Sequence, residues 1–66
     1  MNEEEFRKKT DELKYPIAKL ANELGVARST LYRWFDSPET IPLGMVRQII
    51  SLLGLSAEEI KAIFML

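Results

Sequence analysis

Residues 17–36 read IAKLANELGVARSTLYRWFD, and this stretch decides the fold. Ile17, Leu20, Ala21 and Leu24 recur at i, i+3, i+4 and i+7, the apolar stripe of a helix. Gly25 stops that helix, because glycine takes positive φ at little steric cost. Only Gly25, Val26 and Ala27 separate it from the next helix, expected from Arg28 to about Phe35 with Leu31, Trp34 and Phe35 turned inward. Two helices that cross at about 90–120° need a small residue where they approach, and Ala21 supplies it. Val26 is the apolar plug between them. Leu31 and Trp34 fasten the second helix down. The pattern is that of a helix-turn-helix over about residues 17–36.

The flanks supply the rest of the domain. Upstream, Asn2 or Glu3 to about Leu13 is expected to be a helix, with Phe6, Thr10 and Leu13 at helical spacing. Its three leading glutamates suit the positive end of a helix dipole. Lys14-Tyr15-Pro16 ends it, since proline disfavours helical geometry in the residue before it. Downstream, residues 36–40 read as a loop. Val46, Ile49, Ile50 and Leu53 form another stripe, stopped by Gly54. Ser56-Ala57-Glu58-Glu59 is a capping box, and Ala57, Ile60, Ile63 and Phe64 are expected to pack the last helix. The sum is an all-α, compact five-helix domain with a central helix-turn-helix, one domain over residues 1–66.

Composition narrows the chemistry. The chain has 66 residues, with no cysteine and no histidine. The usual zinc ligands and the usual neutral-pH acid–base group are therefore missing. Sixty-six residues leave little material for the deep pocket that carboxylate catalysis would need. No enzyme, catalytic residue, metal or cofactor is expected. Glu58-Glu59 reads as capping and surface charge. No apolar run approaches the roughly 18 residues of a spanning helix. The acidic start lacks a signal-peptide pattern, so a cytoplasmic location is expected.

Net charge is −1, which offers little attraction for nucleic acid as a whole. Its distribution is uneven. Residues 15–35 hold Lys19, Arg28 and Arg33 against Glu23 alone, while the two ends are acidic. With Leu31 and Trp34 inward, Arg28, Ser29, Tyr32 and Arg33 take the outer face. Those are groups a DNA major groove can meet. Arginine donates to guanine O6 and N7, serine donates or accepts, and tyrosine brings a hydroxyl and a ring. Arg28 and Ser29 lie in the first turn, the part of a recognition helix that usually meets base edges.

Residues Leu20-Ala21, Leu24-Gly25-Val26, Arg28 to Arg33, Ile49-Ile50, Leu53 to Ser56 and Glu58 to Ile60 give the chain a wider likeness. Over about residues 15–64 it resembles the Cro/CI-type (XRE family) helix-turn-helix regulators of bacteriophages and bacteria. The resemblance implies a lambda-repressor-like DNA-binding fold in a bacterial or phage-infected cell, with the helix that opens at Arg28 in the major groove. It implies base contacts from Arg28, Ser29 and Arg33, with Tyr32 and Thr30 adjacent to bases or backbone. It places Ile17, Lys19, Ser37 and Thr40 where phosphate contacts occur. The chain departs from the family at Ala27, where Ser or Thr usually caps the helix. It departs again at Ile17, often Gln, and at Asp36, often Asn. Glu39 is a second acid in that loop.

The implied function is transcriptional regulation, most simply by a homodimer on two operator half-sites about 34 Å apart. The apolar end, Ile63, Phe64, Met65 and Leu66, is the candidate dimer surface. It could equally fold back on the domain's own core. The alternative function is a protein-binding antirepressor or modulator that docks on a phage repressor protein, which the acidic ends and Asp36 would suit. No membrane or small-molecule partner is expected.

Overall fold

The computed structural model describes residues 1–65. Glu3–Glu12 forms α1. Asn2 caps it, its side-chain oxygen accepting from the Glu5 N–H at 3.1 Å, so one orphan donor of the first turn is satisfied. The helix closes through Lys14, which takes φ +53°. Lys14 N–H donates to the Asp11 carbonyl at 3.1 Å and Tyr15 N–H to that of Thr10 at 2.8 Å. This left-handed closure is usually a glycine's work. The expected stop is therefore in place, but Lys14 makes the turn before Pro16 enters.

Ile17–Leu24 forms α2 and Arg28–Asp36 forms α3. Gly25, at φ +72°, joins them. Val26 N–H returns to the Ala21 carbonyl at 3.0 Å. A Cβ at Gly25 would meet nothing within 4 Å, so the backbone angle alone asks for glycine. Ala27 stands at the start of α3 with no side-chain cap. The stretch expected to be a plain loop contains a 3-10 turn, Pro38–Thr40, closed by Ile41 N–H on the Pro38 carbonyl at 3.1 Å.

Leu43–Leu53 forms α4, ended by Gly54 at φ +59°. Ala57–Phe64 forms α5. Its capping box is complete: Glu59 N–H donates to Ser56 Oγ at 3.2 Å and Ser56 N–H to Glu59 Oε1 at 2.9 Å. The described residues are all-helical, with no strand.

One core gathers side chains from every helix: Phe6, Leu20, Ala21, Leu24, Leu31, Trp34, Ile49, Leu53, Leu55 and Ile63. Three residues depart from expectation. Ala57 is exposed, because it opens α5 on the solvent side. Leu13 is 41% exposed, because α1 has ended by that point. Phe35 is half-buried, its ring meeting Phe6 edge-on at 5.3 Å, so it links α1 to α3 at the edge of the core. Met1 joins the core unforeseen. Its side chain is buried and its amine donates to the Trp34 carbonyl at 3.4 Å. Asn2 N–H bonds the Ile63 carbonyl at 2.7 Å, which ties the start of α1 to α5.

Candidate nucleic-acid interface

The burial of Leu31 and Trp34 fixes the rotation of α3. At 3.6 residues per turn, the opposite face must carry Ser29, Arg33 and Asp36, with Arg28 and Tyr32 toward one flank. Arg28, Ser29, Tyr32, Arg33 and Asp36 are indeed exposed, and Thr30 is half-buried. Among the described residues, neither Arg28 nor Arg33 forms an ion pair. Their charge is thus uncompensated by contact.

The backbone candidates differ in readiness. Lys19 on α2 is exposed, with Nζ 5.1 Å from the centre of the Tyr15 ring. Tyr15 in turn donates its hydroxyl to Glu23, and that bond holds the phenol above its ordinary pKa. Thr40 is exposed, but its hydroxyl proton goes to the Ser37 carbonyl at 2.7 Å. Only its oxygen lone pairs face outward, so donation to a phosphate requires that bond to break. Ser37 is half-buried and its side chain makes no cap bond to the 3-10 turn.

Tyr32 has company the sequence does not advertise. Its ring lies 6.1 Å from that of Phe35, and the Arg7 guanidinium of α1 stands over both, 5.7 Å from Tyr32 and 5.9 Å from Phe35. Glu3 holds Arg7 Nε at 2.8 Å, and that bond raises the guanidinium's pKa further. The Glu3–Arg7 spacing of four residues is legible as a helical pair. The contact with Tyr32 is not, because it joins helices distant in sequence.

Residues 12–37 match the family model of the helix-turn-helix domain of resolvase. The matched segment covers α2, the Gly25 turn and α3. That segment is therefore similar to a helix-turn-helix domain, and α2, the Gly25 turn and α3 have the form of the motif. The match is to that domain and does not single out the Cro/CI-type regulators. No curated protein and no solved structure matches the chain.

The apolar end divides. Ile63 is buried in the chain's own core, because α5 packs back on α1, and so it adds nothing to an outer surface. Phe64 is half-buried against the core, and Met65 is 57% exposed. Leu66 lies outside the described residues. Among the described residues, no three Asp or Glu side chains gather where a metal could bind. No helix among the described residues is long and apolar enough to cross a membrane.

Proposed function

We propose that the protein is a sequence-specific double-stranded DNA-binding transcriptional regulator of Cro/repressor type, reading an operator through α3 in the major groove. The observation that carries this is the outer face of α3. Arg28, Ser29, Tyr32 and Arg33 are exposed there while Leu31 and Trp34 anchor the opposite side. Arg28 and Arg33 supply bidentate donors for guanine, and Lys19, Thr30, Ser37 and Thr40 lie on the same segment for backbone contacts.

The molecule measures 27 Å along its longest axis, less than the roughly 34 Å between operator half-sites. One recognition helix reads one half-site, and a homodimer is part of the proposal. With Ile63 buried, its surface would use Met65 and the exposed side of Phe64, together with Leu66.

A second reading is an antirepressor that docks on a repressor protein, favoured by the exposed Asp36 and Glu39 beside the recognition face. Selection from random duplexes, with the native chain and with Arg28→Ala/Arg33→Ala, separates the two. An enriched inverted repeat that is lost in the double variant supports the dimeric regulator. A folded native chain that enriches nothing at low salt rejects it in favour of protein docking.

A further inference from the structure

We propose that Arg7, on α1, is a phosphate anchor beside the recognition helix, held ready by Tyr32 and Phe35 and released to DNA by Glu3. The inference rests on the reading of α3 as the helix in the major groove. Tyr32 lies one helical turn beyond Arg28, so the two share a flank of α3. Arg7 stands over Tyr32 on that flank. Arg28, Tyr32 and Arg7 thus form a track from the start of α3 out to α1. A helix in a groove about 12 Å wide has a phosphate backbone along each side, so a group beyond its flank meets phosphate before it meets base edges.

The state of Arg7 suits that role. Its Nε–H is spent on Glu3, and the Tyr32 side chain is its second polar neighbour. The terminal N–H donors that do not turn to Tyr32 remain for a phosphate. The two aromatic rings lie 5.7 Å and 5.9 Å from the guanidinium and hold it at this flank, so less freedom is lost on binding. Glu3 and Arg7 side chains are 51% and 42% exposed, and a pair so wet exchanges easily for a stronger anion. Glu3 is then a competitor for the phosphate. It keeps Arg7 oriented in the free protein and opposes binding by its charge.

The test is a titration of the native chain, Arg7→Met, Arg7→Lys and Glu3→Gln on a selected duplex and on a scrambled one, across salt concentration. Methionine keeps an apolar stem for the rings and removes the charge. Arg7→Met should weaken binding to both duplexes by the same several-fold factor. It should also flatten the slope of log affinity against log salt by about 0.9, the value of one phosphate contact. Arg7→Lys should keep the native slope, and Glu3→Gln should tighten binding to both duplexes. Thermal melts confirm that each variant is folded. An unchanged slope in Arg7→Met overturns the proposal. So does a loss confined to one base pair, which would make Arg7 act through Tyr32. Should Arg7→Met not fold, Glu3→Gln decides: no gain on either duplex overturns the proposal. A native chain that binds no DNA, or an Arg28→Ala/Arg33→Ala variant that binds as well as native, removes the reading of α3 itself and this inference with it. Native binding that needs Arg28 and Arg33 but ignores Arg7 removes this inference alone.

Discussion

At the scale of single residues, conformation and charge make separate demands. Lys14 sits at φ +53° with a side chain that gains nothing visible there. A left-handed L-residue costs about 1–2 kcal/mol, part of which glycine gives back through its freer unfolded chain. Lys14→Gly should therefore stabilise the domain by roughly 0.5–1 kcal/mol, seen as a rise in thermal midpoint. A fall would show that Lys14 makes a stabilising interaction of its own. Arg28 answers to chemistry instead. Arg28→Ala should leave the melt unchanged and cost about 1–3 kcal/mol at one base pair of the operator. Equal losses on all duplexes would make it a phosphate contact. Both residues were nameable from the sequence, yet only Arg28 was assigned its proposed role there. Lysine carries no signature of a left-handed turn.

At the scale of elements, the helix pair was the most legible part of the chain. The stripe from Ile17 to Leu24, the Gly25 turn and the inward Leu31 and Trp34 are local facts of spacing, and the structure repeats them. Leu31 is fully buried at the centre of that pair. Leu31→Ala should cost about 2–5 kcal/mol, comparable to the whole stability of so small a core. Chemical denaturation checks it, and a cooperative unfolding curve near the native midpoint would contradict the assignment. What stayed hidden were contacts between elements. Phe6 against Phe35, Arg7 over Tyr32 and the Met1 amine on Trp34 join residues that no periodicity relates. The 3-10 turn at Pro38–Thr40 was read only as a loop, since three residues leave no pattern to count.

At the scale of the whole molecule, charge adds to apolar packing where α1 meets α5. Lys9 reaches Glu59 at 2.7 Å, which bridges α1 to α5, and Glu12 at 3.6 Å within α1. Glu59 serves twice, since its other oxygen completes the Ser56 capping box. The Lys9 ammonium, and then the Ser56 N–H, hold its carboxyl below the ordinary value of 4.5. A depressed folded pKa means the stabilisation is fully present above about pH 4.5 and is lost as pH falls through the lower folded value. Urea melts should therefore weaken on acidification across that window, and Glu59→Gln should blunt the change. An identical acid loss in Glu59→Gln would assign it to other carboxylates.

The hydrogen bond from Asn2 to Ile63 puts the beginning of α1 beside the end of α5. Neither end can loosen without breaking that bond. Fraying of the first turn of α1 and of the last turn of α5 is therefore one event, and the amides of the two turns should exchange hydrogen together.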